Sequence, residues 1–312
     1  MKIVFLDASS VGKVDTFQLL EDLGDFTAYE LTAPEDTVAR LQGVDVAITN
    51  KVVLDAEVIS QCPDLKLICI SATGMNNVDL DFAKSKGIPV KNVAGYSTES
   101  VAQATFAMLL SLANHIRSYD DYVKSGDYTS SPLFTHHAGT IYELNGKRFG
   151  IIGLGAIGRR VAKLAEAFGA EVVYYSTSGK NNNQEYASLS LDELLETSDV
   201  VSIHAPLNEN TDKLIGAQAL GKMRNSAILL NAGRGGIVDE EALAEAIDNG
   251  KIAGAGIDVF EREPMLAENP LLKVENKDRL VLAPHVAWAS REARNKLVSL
   301  VSENIKSFIS EK

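Results

Sequence analysis

Three side chains that can bind a carboxylate and move a proton follow predicted strands in the second half of the chain: Arg234, Glu263 and His285. A guanidinium can bind a carboxylate and a neighbouring carbonyl oxygen together, through charge-assisted hydrogen bonds of roughly 1.5–3 kcal/mol each. Because the unperturbed pKa of histidine lies closest to neutral pH, His285 is the predicted acid for an alkoxide, and Glu263 is the carboxylate that fixes its ring. Such a set suits hydride reduction of a 2-keto acid.

The other histidines admit other interpretations. His204 ends a predicted strand and is the alternative proton donor, although a structural position near a cofactor is favoured. His136 and His137 lie in a loop without a cysteine or acidic ligand pattern, so no metal site is expected. His115 is expected to close a helix and to interact with its C-terminal dipole. The arginine and the glutamate, taken singly, are compatible with surface roles, and their joint occurrence at strand ends favours catalysis.

A glycine-rich loop at 153–158 lies between a strand pattern and a helix pattern. Gly153 is expected to make the turn, Gly155 to let a pyrophosphate approach the backbone, and Gly158 to let the helix pack on the strand. Another strand pattern follows at 171–175, the spacing of a dinucleotide-binding unit. The loop therefore predicts a dinucleotide cofactor, with tight packing alone as the alternative.

Strand and helix patterns alternate twice along the chain, which predicts an α/β fold with two doubly wound parallel-sheet domains. A helix over 98–117, a polar segment over 119–140 and a helix over 290–308 are also predicted, and 181–183 is a turn signal. The strands are expected at 2–6, 44–48, 67–71 and 90–93, then at 149–152, 171–175, 200–204, 227–231, 255–259 and 280–283. The first set lacks a glycine loop and is the candidate substrate domain.

Composition restricts the partners. The chain has 312 residues, enough for two cores, and 46% of them are hydrophobic. A formal net charge of −12 disfavours nucleic acid and anionic membranes. The apolar stretches are too short for a signal peptide or a membrane span. We therefore expect a cytoplasmic protein that acts on a small molecule.

The segments 150–158, 231–239, 258–264 and 284–285 together resemble the D-isomer-specific 2-hydroxyacid dehydrogenases, and the resemblance extends over nearly all of the chain. It implies that Arg234, Glu263 and His285 are catalytic, that Asp258 lies near the nicotinamide ring, and that the loop at 72–75 offers N–H groups to the substrate carboxylate. It also implies a flavodoxin-like substrate domain over 1–98 completed by 286–312, a Rossmann dinucleotide-binding domain over 99–285, and a homodimer formed through the latter.

The predicted site is larger than the catalytic trio. Cofactor contacts are expected from the glycine loop, the strand ends and the catalytic turns, namely Gly153, Gly155, Ala156, Ile157, Gly158, Ser176, Thr177, Ala205, Pro206, Ala232, Gly233, Arg234, Asp258 and His285. Substrate contacts are expected from Thr73, Gly74, Met75, Arg234 and Trp288.

Within the family, the segments 101–110 and 284–290 look most like the glycerate dehydrogenases, or hydroxypyruvate reductases. That resemblance implies reduction of hydroxypyruvate to D-glycerate. Activity on glyoxylate, D-lactate or 3-phosphoglycerate and a nicotinamide-sensing, corepressor-like binding role are the alternatives.

The cofactor is expected to be NAD or NADP. Ser176, followed by Thr177, stands where NAD-using members of the family place an acid for the adenosine ribose. An absent acid favours acceptance of NADPH, and the alternative is that Ser176 binds the 2′-hydroxyl of NAD.

Overall fold

The computed structural model describes residues 1–137, 139–181 and 185–311. The chain forms two compact units, Met1–Ser97 with Ala289–Lys312, and Thr98–Trp288. Asn182 and Asn183 of the predicted turn at 181–183 lie outside the described residues.

The first unit is built on a parallel sheet whose inner strands are short runs of buried residues, as parallel sheets require. Its strands are β1 (Lys2–Phe5), β2 (Asp25–Ala28), β3 (Val46–Thr49), β4 (Leu67–Ile70) and β5 (Val90–Lys91). Within the described residues they pair in the order β2-β1-β3-β4-β5, which is the flavodoxin-like order.

Five α-helices accompany this sheet in the described part of the unit. Four are short: α1 (Gln18–Glu21), α2 (Thr37–Leu41), α3 (Ala56–Ser60) and α4 (Leu80–Ser85). The fifth is the C-terminal helix Arg291–Ser310, which begins where the Ser290 hydroxyl accepts a hydrogen bond from the N–H of Ala293. It buries Leu297, Val301 and Ile305, so its predicted apolar face is part of the core.

The second unit contains a larger sheet, again parallel throughout. Its strands are β6 (Arg148–Ile152), β7 (Glu171–Tyr175), β8 (Ala187–Ser188), β9 (Val200–Ile203), β10 (Ile228–Asn231), β11 (Gly254–Ile257) and β12 (Leu280–Leu282). In the residues that the structure describes, their order is β12-β11-β10-β9-β6-β7-β8, and the direction of winding reverses between β6 and β9. This is the doubly wound order of dinucleotide-binding domains, so the predicted fold class is confirmed for both units.

The register of this sheet aligns the strand ends. Ile152 at the end of β6 pairs with Tyr175 and Ile203, while Asn231 at the end of β10 pairs with Ile203 and Ile257. The loops that follow these strands therefore leave from one row at one edge of the sheet. The helices of the unit are α5 (Thr98–Ala113), α6 (Ile116–Lys124), α7 (Ala156–Ala167), α8 (Leu191–Thr197), α9 (Ala217–Lys222) and α10 (Glu240–Asp248).

The local structure differs from the sequence-based expectations in two respects. The predicted helix over 98–117 ends at Ala113, because His115 takes a left-handed conformation with a φ of 51°. Histidine tolerates that conformation better than most residues, and α6 then occupies part of the predicted polar segment. The edge strands β2 and β8 were not predicted, since neither contains a buried apolar run.

Candidate active site

The glycine-rich loop at 153–158 has the backbone that its sequence demands. Gly153 has a φ of 92°, and an added Cβ there would lie 2.8 Å from the carbonyl oxygen of His204 and 2.9 Å from Cα of Ala205. An added Cβ on Gly158 would lie 2.4 Å from the carbonyl oxygen of Gly153. The first glycine thus makes the turn against the end of β9, and the third lets α7 pack on β6.

Gly155 lies at the N-cap of α7 and has open space where a Cβ would stand. Ala156 and Ile157 are the first residues of the helix, its first turn contains no acid, and no side chain among the described residues caps it. The N–H groups of a helix N-terminus attract anions. This end of the loop therefore fits a pyrophosphate.

The segment that follows β7 begins with Ser176 and Thr177. The hydroxyl oxygen of Ser176 is buried and has no hydrogen-bond partner within the described ranges, which is uncommon for a buried polar atom. Asn181 ties this segment to the glycine loop, because its Nδ2 donates to the carbonyl oxygen of Leu154 at 2.6 Å. An Nη of Arg159 lies 3.5 Å from Oδ1 of Asn181. A ribose hydroxyl could form a hydrogen bond with Ser176, and the Arg159 guanidinium lies beside the same segment.

His204 follows β9, and its Nε2 lies 2.8 Å from the hydroxyl oxygen of Ser202. Its Nδ1 is buried without a partner in the part of the chain that the structure describes. Burial lowers the pKa of His204 to about 4, so the ring is neutral near pH 7. A neutral histidine is a poor proton donor, which argues against His204 as the acid. Ala205 is buried beyond it, and Pro206 is exposed.

Arg234 is positioned by a buried asparagine at the end of β10. Oδ1 of Asn231 accepts the N–H of Gly233 at 3.0 Å, and its Nδ2 donates to the carbonyl oxygen of Arg234 at 2.9 Å. The tight turn so formed includes Ala232. The Arg234 side chain is exposed, and its Nη1 donates to the carbonyl oxygen of Gly233 at 2.8 Å. Its other N–H groups bond to none of the described residues, so they are available to a carboxylate.

Glu263 and His285 form a pair at the ends of β11 and β12. Oε2 of Glu263 lies 2.6 Å from Nδ1 of His285, and its Oε1 accepts the N–H of Phe260 at 3.0 Å. Nε2 of His285 bonds to none of the described residues. A carboxylate at Nδ1 fixes the tautomer and leaves Nε2 as the exchangeable proton site. The pair can therefore deliver a proton from a defined atom.

The backbone of His285 is held in an unusual conformation by Asp258. His285 has a φ of 54°, and its N–H donates to the carbonyl oxygen of Asp258 at 2.7 Å. The Asp258 carboxylate accepts the N–H groups of Val286 and Ala287 at 2.9 to 3.1 Å. Burial raises the pKa of Asp258, and these two N–H groups oppose that rise. The predicted position of Asp258 near a nicotinamide ring stays a prediction.

The substrate residues predicted in the first unit lie in the loop after β4. The hydroxyl of Thr73 donates to the carbonyl oxygen of Val93 at 2.9 Å, and Nδ2 of Asn92 donates to the carbonyl oxygen of Thr73 at 2.6 Å. The backbone N–H groups of Thr73, Gly74 and Met75 donate to no group among the described residues. Three free N–H groups in one turn suit a carboxylate. Trp288 is half-buried at the end of the second unit.

The structure adds residues that sequence reasoning missed. No role is assigned to Asn231 from the sequence, although an asparagine at a buried strand end before Gly233 signals an Asx-type turn. Arg159 gives no sequence signal, because its proximity to Asn181 depends on the fold. The described residues contain no group of three or more His, Cys, Asp or Glu side chains that could hold a metal. None of their helices is long and apolar enough to cross a bilayer.

Comparison with known proteins identifies the family. The model of the D-isomer-specific 2-hydroxyacid dehydrogenase NAD-binding domain matches residues 106–287. The chain is 37% identical to a hydroxypyruvate reductase of Blautia hydrogenotrophica, over 99% of this chain and 97% of that protein. It is 39% identical to a glycerate dehydrogenase of Methylorubrum extorquens, over 100% of this chain and 97% of that protein.

A solved structure agrees with these relatives. The NADPH-dependent glyoxylate/hydroxypyruvate reductase of Sinorhizobium meliloti, in complex with NADP and malonate, superposes with a TM-score of 0.83 at 28% identity, over 99% of this chain and 93% of that one. The resemblance seen in the sequence is therefore confirmed.

Proposed function

Because the chain belongs to the D-isomer-specific 2-hydroxyacid dehydrogenases, we propose that it reduces hydroxypyruvate to D-glycerate. The observation that carries the proposal is the 2.6 Å contact between His285 Nδ1 and Glu263 Oε2 at the strand ends beside the Arg234 turn. Relatives named for hydroxypyruvate and glycerate support the choice of substrate. The cofactor is NAD or NADP.

The second unit has the parts that hold this cofactor. The open N-terminus of α7 would bind the pyrophosphate, while Ser176 and Thr177 would bind the adenosine ribose. NADH or NADPH supplies, when bound, the hydride for the substrate carbonyl carbon. We assign 99–285 as the dinucleotide-binding domain, and 1–98 with 286–312 as the substrate domain.

We propose that side chains of the chain itself bind the substrate and transfer the proton. Arg234 binds the substrate carboxylate and the carbonyl oxygen with its free N–H groups, which polarises the carbonyl. As hydride reaches the carbonyl carbon, the π bond breaks and the oxygen gains a proton from Nε2 of His285. Glu263 stabilises the imidazolium before the transfer and keeps Nδ1 protonated after it. In the reverse direction, His285 accepts the proton. We also propose that the N–H groups of the loop at 72–75 bind substrate.

We also propose that the chain forms a homodimer through the cofactor domain. Ile116, Val123, Leu133, Phe134 and Ile141 of the second unit are each more than half exposed. A run of exposed apolar side chains on one segment is typical of a protein interface. Sedimentation of the native chain and of Phe134→Ser tests it: we expect a dimer that the substitution weakens, and a native monomer would contradict the proposal.

Turnover measurements test the substrate. We expect hydroxypyruvate to give the highest kcat/KM, followed by glyoxylate, in a panel with pyruvate, 2-ketobutyrate and phosphohydroxypyruvate, each with NADH and with NADPH. The product should be D-glycerate. A preference of about tenfold or more for pyruvate or a branched acid would refute the substrate, and nicotinamide binding without turnover of any acid would favour the corepressor-like alternative.

A further inference from the structure

Glu240, the first residue of α10, is a buried acid without an obvious task in the site. The residue is 8% exposed, and it forms no ion pair with any described residue. One carboxylate oxygen accepts the N–H of Glu261 at 2.8 Å, and the other accepts Nδ2 of Asn269 at 2.6 Å. Burial of an ionised carboxylate is costly unless both oxygens are satisfied. The two donors explain how Glu240 is tolerated, and their positions indicate its role.

Both groups that face Glu240 must be donors. Glu261 presents its backbone N–H to Glu240, and the orientation of the Asn269 amide is fixed because its Oδ1 accepts the N–H of Leu271 at 2.9 Å. Nδ2 of Asn269 therefore points at Glu240. A carboxylate, which only accepts, satisfies both donors, whereas an amide of the same shape would turn an N–H towards Asn269.

The N–H that Glu240 holds belongs to the loop that carries Glu263. Phe260, one residue earlier, donates its N–H to Glu263 Oε1 at 3.0 Å. On its other side this loop touches the Arg234 turn, because an added Cβ on Gly235 would lie 1.9 Å from the carbonyl oxygen of Phe260. Glu240 and Gly235 thus contact the same peptide bond, the one between Phe260 and Glu261.

We propose that Glu240 is a positioning residue, which fixes the loop 260–263 so that the Glu263 carboxylate stays on Nδ1 of His285. The inference rests on the proposed function of Glu263 and His285. Glu240 acts through the N–H of Glu261. Asn269 is also part of this arrangement, because its Nδ2 donor requires a hydrogen-bond acceptor at position 240.

An exchange of donor and acceptor tests the proposal. Glu240→Gln places an amide N–H opposite the Nδ2 donor of Asn269. Asn269→Asp places a second carboxylate opposite the carboxylate of Glu240. In the double variant, the amide N–H introduced at position 240 can donate to the carboxylate introduced at position 269, which still accepts the N–H of Leu271. The net charge of the double variant equals that of the native chain. Glu241→Gln is the matched control, because Glu241 is on the same helical turn.

Each single variant should lower kcat for hydroxypyruvate about 10- to 100-fold, the usual effect of a displacement near 1 Å, with KM for NADH within about twofold of native. The double variant should recover to within about threefold of native, and Glu241→Gln should be unchanged. A native kcat in Glu240→Gln would overturn the proposal. Single variants that lose NADH affinity and kcat equally, with no recovery in the double variant, would overturn it as well. If the native chain reduces none of the acids, the proposed function itself fails, and this inference fails with it.

Discussion

Gly235 is the point where the turn carrying Arg234 contacts the loop carrying Glu263, so Gly235→Ala is a sharp perturbation of the site. The added Cβ would lie 1.9 Å from the carbonyl oxygen of Phe260 and 2.5 Å from the backbone nitrogen of Glu261. Both are backbone atoms and cannot rotate away. Because real contacts of this type are essentially never shorter than 3.0 Å, one segment must move by about 1 Å or more relative to the other.

That displacement separates Arg234, the residue proposed to bind the substrate, from Glu263, the residue proposed to orient the acid. A misplacement of about 1 Å costs on the order of 10²-fold in rate, which corresponds to roughly 2.7 kcal/mol of transition-state stabilisation. The strain itself costs about 1–3 kcal/mol, less than the roughly 5–15 kcal/mol by which a domain is stable. The variant should therefore fold and lose catalysis.

The assay is the steady-state reduction of hydroxypyruvate, with NADH affinity measured separately by fluorescence. We expect kcat to fall about 100-fold in Gly235→Ala while NADH affinity stays near native. The control is Gly221→Ala in α9, where an added Cβ meets no atom within 4 Å. A Gly235→Ala variant with kcat within about threefold of native would refute the inference that the packing of the two segments positions the catalytic groups.

Three further variants test the site. His204→Gln should keep the pH 7 rate within about fivefold, because the His204 pKa of about 4 leaves the ring neutral. Since that pKa lies below the unfolded value of 6.5, the unfolded chain binds the extra proton, and native stability falls as pH drops from about 6.5 to 4. His204→Gln should remove up to about 3 kcal/mol of that loss, seen as a smaller pH dependence of urea unfolding. Ser176→Asp should lower kcat/KM for NADPH at least tenfold relative to NADH, because the repulsion between the new carboxylate and the 2′-phosphate costs up to roughly 4 kcal/mol at 4 Å. A native NADH preference above about a hundredfold that the substitution leaves unchanged would show that position 176 does not contact the ribose. Glu263→Gln should move the pH optimum of reduction towards acid, since the imidazolium loses its carboxylate partner; an unchanged pH profile would contradict that partnership.

Much of the second unit could be predicted because its signals are local. The glycine loop is recognisable from the spacing of its three glycines, two of which, Gly153 and Gly158, leave no room for a Cβ, and the buried strands are continuous apolar runs. Parallel strands in one sheet bring their carboxyl ends to one edge, so strand-end residues such as Glu263 and His285 could be expected to meet. Their contact is observed at 2.6 Å, and their catalytic roles stay predictions.

The remainder depends on contacts between segments distant in sequence. In the sequence, Glu240 is indistinguishable from an ordinary acid in the first turn of a helix, and only the fold brings it to the N–H of Glu261. The end of α5 depends on the left-handed conformation of His115, which its neighbours in sequence do not dictate. The strand β2 is a half-exposed edge whose pairing with β1, not its composition, makes it a strand.

The assignment of His285 as the proton donor is tested most directly by the turnover of His285→Ala with hydroxypyruvate at pH 7, relative to the native chain. Loss of a positioned general acid should slow the variant about 10²- to 10⁴-fold. Near-native turnover by His285→Ala would contradict the assignment and would point to another group, or a water molecule, as the source of the proton.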